Sequence, residues 1–205
     1  PYSSSKGCTE LVIAAYRHAY FATAGMGLAS ARAGNVIGGG DWADDRLVPD
    51  LVRAAIAGRS TPIRHPHATR PWQHVLEPLA GYLLLGQRLL ADPQACAEAW
   101  NFGPDADGHL AVGDVVARIA AQWPAVRHEI DAAATHPHEA ALLHLDCSKS
   151  RGALGWRPVW NIDTMLARTT AWYRAWHEGR QVASRDDLHC YIADARYAGL
   201  GWAAA

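Results

Sequence analysis

Helical and extended patterns alternate along this chain, and that alternation predicts an α/β fold. Half of its 205 residues are hydrophobic, enough for one ordinary domain or two small lobes. A glycine-rich turn, Gly34-Asn35-Val36-Ile37-Gly38-Gly39-Gly40, follows an apolar stretch, in the place where open α/β sheets bind ligands.

Residues 2–24 carry a helical pattern that stops near Gly25 and Gly27. Residues 28–37 read as one buried strand, and Gly38 to Asp41 as a loop. Residues 46–57 form a helix closed by Gly58, with Pro49 tolerable only near its start. Residues 60–64 are a short strand, and the polar, proline-rich stretch 65–73 is a loop. A helix over 75–91, opened by His74 or Glu77, stops at Asp92-Pro93. Residues 99–102 form a short strand and 103–109 a turn. A helix over 111–123, with Asp114 in its first turn, precedes a strand at 126–130. Residues 131–141 are a loop and 142–145 are extended. Two helices follow, 148–154 ended by Gly155 and 161–178 ended by Gly179. Residues 181–205 show no clear periodicity and stay unplaced.

The formal net charge of −1 argues against nucleic acid as the main partner. No apolar run approaches the roughly 20 residues of a membrane span. Cys8, Cys96, Cys147 and Cys190 are scattered without a C-x-x-C pair, so they read as free thiols of a cytoplasmic protein. Nine tryptophans point to a well-packed interior and to aromatic surfaces for a ring-shaped ligand.

The most informative stretch is the first one. Tyr2 and Lys6 are four apart, so one helix places phenol and ammonium on one face, a turn apart. A free tyrosine has a pKa of about 10, and reaching the phenolate at pH 7 needs a shift of roughly three units, or about 4 kcal/mol. A neighbouring lysine favours the phenolate, and a bound cationic nicotinamide adds to that effect. Tyr-x-x-x-Lys therefore suits proton transfer beside a hydride-transfer cofactor, although a surface Tyr and Lys on an amphipathic helix give the same spacing.

The Gly34–Gly40 turn lacks the G-x-G-x-x-G fingerprint and the G-K-[ST] of a P-loop. It reads as a ligand-facing turn in which Asn35 could donate to an anion, or as a purely structural one. Arg64, Arg70 and Trp72 cluster around one loop. Two planar guanidiniums there suit a diphosphate, and plain surface solvation is the alternative. His65-Pro66-His67 and His136-Pro137-His138 lack metal-ligand spacing, so no metal is expected.

Pro1-Tyr2-Ser3-Ser4-Ser5-Lys6-Gly7-Cys8 resembles the active-site helix of extended short-chain dehydrogenase/reductases that act on nucleotide sugars. Residues 31–50 (ARAGNVIGGGDWADDRLVPD), 63–82 (IRHPHATRPWQHVLEPLAGY), 100–104 (WNFGP) and 138–158 (HEAALLHLDCSKSRGALGWRP) resemble the CDP-glucose 4,6-dehydratases in particular. The combination GNVIGGGDW with TRPWQHVLEPL is the specific part, and the resemblance spans most of 1–180.

It implies the carboxyl-terminal part of a Rossmann-type doubly wound parallel sheet plus a smaller α/β substrate-binding lobe. Residues 1–40 and 72–103 would belong to the NAD-binding part, and 41–71 and 104–180 to the nucleotide-sugar lobe. Residues 181–205 would be a tail. The family's dinucleotide loop, ribose-binding acid and elimination residues have no counterpart among these 205 residues. The expectation is therefore a carboxyl-terminal portion of such an enzyme, one that begins at proline and is aggregation-prone alone.

The resemblance also implies roles. Tyr2 takes the proton of the sugar 4-hydroxyl while C4 gives hydride to NAD. Lys6 holds the nicotinamide ribose, and Ala33 also lines the cofactor. Asn35, Arg46, Leu47, Arg64, Arg70, Asn101 and His138 contact the nucleotide diphosphate. The product is CDP-4-dehydro-6-deoxyglucose, made for a surface polysaccharide. Similar enzymes are dimers or tetramers that pair through the Tyr-x-x-x-Lys helix, which makes Leu11, Ala15, His18 and Ala22 a candidate contact face. The rival readings are another nucleotide-sugar epimerase or dehydratase of the superfamily and a non-catalytic nucleotide-sugar-binding fragment.

Overall fold

The computed structural model describes residues 1–131 and 142–204, with Tyr2 described by its backbone. In chain order the elements are α1 (Tyr2–Tyr16), β1 (Ser30–Ala33), β2 (Asn35–Ile37), α2 (Leu47–Ile56), β3 (Ser60–Ile63), β4 (Thr69–His74), α3 (Leu76–Ala91), β5 (Ala99–Phe102), β6 (His109–Ala111), α4 (Val112–Gln122), β7 (Arg127–Ile130), α5 (Ser148–Leu154), α6 (Ile162–Gly179) and α7 (Ser184–Tyr197). The α/β class is as the sequence predicts. The chain divides into two compact units, each built from three separated segments.

The first unit comprises 1–33, 78–102 and 146–157. After α1 a π-helical turn, Arg17–Phe21, continues the helix to Gly25, whose positive φ of 67° ends it. β1 pairs in parallel with β5, Ser30 opposite Ala99 and Ala33 opposite Phe102. Phe102 is fully buried and meets Tyr82 and Trp156 edge-on, with ring centroids 5.5 and 5.1 Å apart. α3 comes close to this strand at Gly81, where a side chain would overlap the Phe102 ring.

The second unit comprises 34–77, 103–145 and 158–205. β4 is the middle strand of a three-stranded sheet, parallel to β2 and antiparallel to β6. β3 and β7 form a separate parallel pair. The apolar faces of α2, α4 and α6 meet in one cluster that includes Leu51, Val52, Val115, Val116, Met165, Leu166 and Tyr173.

Several sequence expectations are corrected. The stretch 28–37 is two strands, because the chain breaks at Gly34: β1 joins β5 whereas β2 joins β4. Gly34 packs so closely on Pro71 that a Cβ would overlap its carbonyl oxygen. Residues 65–73 are not all loop. From Thr69 onward they form β4, with Arg70, Trp72, Gln73 and His74 buried. Residues 142–145, expected only to be extended, carry one parallel bridge, Leu142 to Thr69, which does not contradict that expectation. The tail contains a four-turn helix, α7, and a 3-10 turn, Gly201–Ala203.

Candidate functional site

In the first unit, α1 runs antiparallel along β1. Arg17 Nε donates to the Leu28 carbonyl at 2.7 Å. One turn beyond Lys6, Glu10 takes a hydrogen bond from Ser30 Oγ at 2.8 Å and pairs with Arg32 Nε at 3.0 Å. Glu10 continues the four-residue spacing of Tyr2 and Lys6, so it ties their helix to β1. Lys6 and Tyr2 lie about 6 and 12 Å further toward the amino end along the helix axis. The first turn of α1 therefore extends past the carboxyl end of β1, where Ala33 sits half-buried and Lys6 is exposed.

Asn101 pairs with Arg32 across the same two strands. Its Nδ2 donates to the Asp146 carbonyl at 2.9 Å, and its own carbonyl accepts from Ser150 Oγ at 2.7 Å. Its Oδ1 is buried with no hydrogen-bond partner among the described residues. Ala33 and Asn101 thus lie together at the carboxyl ends of paired strands, near the level to which α1 carries Tyr2 and Lys6.

In the second unit, Asn35 opens β2, half-buried and level with Trp72 of β4. Arg70 lies two residues earlier on β4 and is buried, with Nη1 donating to the Thr69 carbonyl at 2.9 Å. Trp72 belongs to the core, where its indole N–H donates to the Leu110 carbonyl at 3.0 Å. Arg64 is exposed just after β3. The sequence's single cluster of Arg64, Arg70 and Trp72 therefore becomes one exposed guanidinium, one buried in a strand and a core indole.

Arg46 and Leu47 begin α2. Arg46 is exposed in an extended conformation, with Nε 3.9 Å from Asp41 Oδ2. Among the described residues no side chain caps this helix, and Pro49 has no N–H, so the Leu47 and Val48 amides form an uncapped, anion-compatible end. The preceding glycines serve packing: a side chain at Gly39 would overlap the Trp172 ring, and Gly40 has φ of 88°. His136 and His138 lie outside the described residues.

The sequence reading gave Glu77 only a helix-opening role, yet it forms a buried polar centre. Its carboxylate accepts from the Val159 and Trp160 amides at 3.0 and 2.8 Å and from the Tyr191 hydroxyl at 2.7 Å. Burial outweighs these donors and pushes its pKa up to about 7. Nearby His74 stacks edge-on against Trp160, ring centroids 4.8 Å apart. Burial, then the Arg168 charge, lowers its pKa to about 4. The signal in the sequence was a carboxylate inside the apolar stretch Val75-Leu76-Glu77-Pro78-Leu79. Among the described residues there is no group of acidic, histidine or cysteine side chains arranged to hold a metal, and all four cysteines are free.

Residues 1–169 match the family model described as GDP-mannose 4,6 dehydratase. The chain belongs to this family. It is 44% identical over 200 residues to a CDP-glucose 4,6-dehydratase of Salmonella typhimurium, covering 94% of this chain and 56% of that protein. Identity to the dTDP-glucose 4,6-dehydratase of the same organism is 24% over 181 residues, covering 85% and 47%. A crystal structure of a dTDP-glucose 4,6-dehydratase from Streptomyces venezuelae with NAD bound superposes with a TM-score of 0.64 at 27% identity, covering 85% of this chain and 51% of that one. The chain spans about half the length of the curated relatives it matches. The expectation of a nucleotide-sugar dehydratase fold of the short-chain dehydrogenase/reductase type is borne out.

Proposed function

We propose that the protein containing this chain dehydrates CDP-D-glucose to CDP-4-dehydro-6-deoxy-D-glucose with NAD as a recycled cofactor. The observation that carries this reading is the contrast between 44% identity to the CDP-glucose enzyme and 24% to the dTDP-glucose enzyme of one organism. The donor set fits NAD and a sugar. An exposed ammonium at Lys6, the Tyr2 position one turn beyond it and a buried Asn101 Oδ1 without a partner among the described residues gather at the carboxyl ends of β1 and β5.

When bound, NAD would supply reversible hydride-transfer chemistry to the sugar. The chain's own residues do the rest of the work assigned to them here. The Tyr2 phenol removes the proton of the 4-hydroxyl. Lys6 favours the phenolate and holds the nicotinamide ribose beside Ala33. Asn35, Arg46, Leu47, Arg64, Arg70, Asn101 and His138 hold the nucleotide diphosphate by charge-assisted hydrogen bonds. Loss of water across C5 and C6 has no assigned residue in this chain. Residues 1–40 and 72–103 serve NAD and 41–71 and 104–180 the nucleotide sugar, in a protein of the cytoplasm that supplies polysaccharide synthesis.

Self-association fits the surface of α1 and its π-helical continuation. Leu11, Ala15, His18 and Ala22 are all exposed, with Leu11 at 73%. A dimer or tetramer would bury that face.

The test is single-turnover C4 oxidation by the complete protein with CDP-glucose and with dTDP-glucose. CDP-glucose is expected to react at least about tenfold faster. Tyr2→Phe is expected to slow the reaction by 10²–10⁴-fold while NAD still binds. A Tyr2→Phe rate within threefold of wild type overturns the role of Tyr2. Equal use of dTDP-glucose overturns the choice of base.

A further inference from the structure

Between Asp41 and Arg53 stand four carboxylates, Asp41, Asp44, Asp45 and Asp50, and two guanidiniums, Arg46 and Arg53. That is an unfavourable neighbourhood for an anionic diphosphate unless the acidic loop is held in one conformation. Arg53 lies on α2 and supplies the restraint. Its Nη1 donates to the Trp42 carbonyl at 2.6 Å and to the Ala43 carbonyl at 3.2 Å. Its Nη2 reaches the Ala43 carbonyl at 3.2 Å and pairs with Asp44 Oδ1 at 3.1 Å and with Asp50. One planar fork thus ties two loop carbonyls and two of the four carboxylates to the helix that begins at Leu47.

A second restraint comes from α6. The Tyr173 hydroxyl donates to the Asp41 carbonyl at 2.8 Å. Burial, ahead of the Asp41 charge, pushes the Tyr173 pKa up to about 12, so it stays a donor at ordinary pH. The Trp42 ring packs on Tyr173 and Trp176, with centroids 5.4 and 4.6 Å apart. Asp45 adopts a left-handed φ of 59°, a conformation that persists only where the surroundings impose it. The loop so fixed delivers Arg46 and the uncapped start of α2.

We propose that Arg53 is a positioning residue for nucleotide-sugar binding: it straps loop 41–46 to α2 so that Arg46 and the Leu47 amide meet the ligand's diphosphate in one arrangement. The proposal rests on the nucleotide-sugar reading above. Surface ion pairs alone contribute little. The strap's strength lies in the fork as a whole, whose Nη1 serves the Trp42 and Ala43 carbonyls while Nη2 holds the Asp44 and Asp50 carboxylates.

The test uses the complete protein with Arg53→Met, Arg53→Lys and Tyr173→Phe. CDP affinity is measured by calorimetry, steady-state kinetics with CDP-glucose, and amide exchange across 41–47. Arg53→Met is expected to weaken CDP binding and raise KM about tenfold, with kcat within twofold and faster exchange in the loop. Arg53→Lys is expected to match Arg53→Met, because one ammonium cannot replace the fork. Tyr173→Phe is expected to weaken CDP binding two- to fivefold. Unchanged CDP affinity in Arg53→Met overturns the proposal, as does full rescue by Arg53→Lys or a parallel loss of kcat and melting temperature. A wild type that binds CDP without turning over CDP-glucose overturns the functional reading alone. One that binds no CDP overturns both.

Discussion

Glu77 and His74 carry opposite perturbations three residues apart in the second unit. Burial raises the Glu77 pKa to about 7, so between about pH 4.5 and 7 the folded protein holds a proton that the unfolded chain releases. Stability from this group is full below about pH 4.5 and is lost as pH rises through 7. The lowered pKa of His74, about 4, means that the unfolded chain takes up a proton below about pH 6.5 that the folded protein refuses. Stability from His74 therefore rises as pH climbs from 4 to 6.5. The two slopes oppose each other in one window. Wild type is expected to show a shallow pH dependence of melting temperature there. Glu77→Gln is expected to show a clearly rising one, because only the His74 slope remains. A Glu77→Gln curve parallel to wild type, measured by calorimetry from pH 4.5 to 7, contradicts the assignment. Neither shift was legible in the sequence, since Trp160 and Tyr191 close over Glu77, and Trp160 over His74, from more than 80 positions away.

Elements whose period and end signals agreed were the ones read correctly. The helix at Ser148–Leu154 ends at Gly155, which has a left-handed φ of 68°, as its sequence suggests. β4 was hidden because it buries polar groups: Arg70, Gln73 and His74 occupy interior positions, and Pro71 argues against a central strand. α6 shows a finer error. The sequence makes Gly179 its stop, but Gly179 is the last helical residue and the left-handed turn falls on Arg180, φ 56°. The Arg180 guanidinium lies 4.1 Å from the Trp176 ring centroid, and its amide donates to the Trp176 carbonyl at 2.8 Å. A Cβ at Gly179 would meet only the Gln181 side chain, at ordinary contact distance. Gly179→Ala is therefore expected to stabilise the protein by about 0.5–1 kcal/mol, where a true left-handed stop would lose about as much. Urea denaturation decides the sign.

At the scale of the whole molecule, each compact unit is assembled from three distant segments, so remote parts of the sequence complete one another. The tail illustrates this. On α7, Asp187, Tyr191 and Ala195 form a buried stripe at four-residue spacing, while Leu188 and Tyr197 face outward. An aspartate in the buried stripe and apolar residues outside it erase the periodicity by which such a helix is read. Asp187 sits 3.8 Å from Arg168 Nη1, and burial raises its pKa. The stripe brings Tyr191, 2% exposed, between Trp160 and Trp202, where its hydroxyl meets Glu77 across 114 positions of sequence. The neighbouring Trp160 indole donates to Asp194 at 2.7 Å, a second tie between the same segments. Tyr191→Phe keeps the ring and removes a hydrogen bond to a buried carboxyl, a loss of about 1.5–3 kcal/mol. If α7 is integral to its unit, that loss spreads. Amide exchange is expected to accelerate together in α7, around Val159 and Trp160 and at the first turn of α3, with a lower melting temperature. Leu188→Ala, on the exposed face, is expected to leave all three unchanged. Acceleration confined to α7 after Tyr191→Phe would instead make the tail a separable appendage, with Glu77 still held by the Val159 and Trp160 amides.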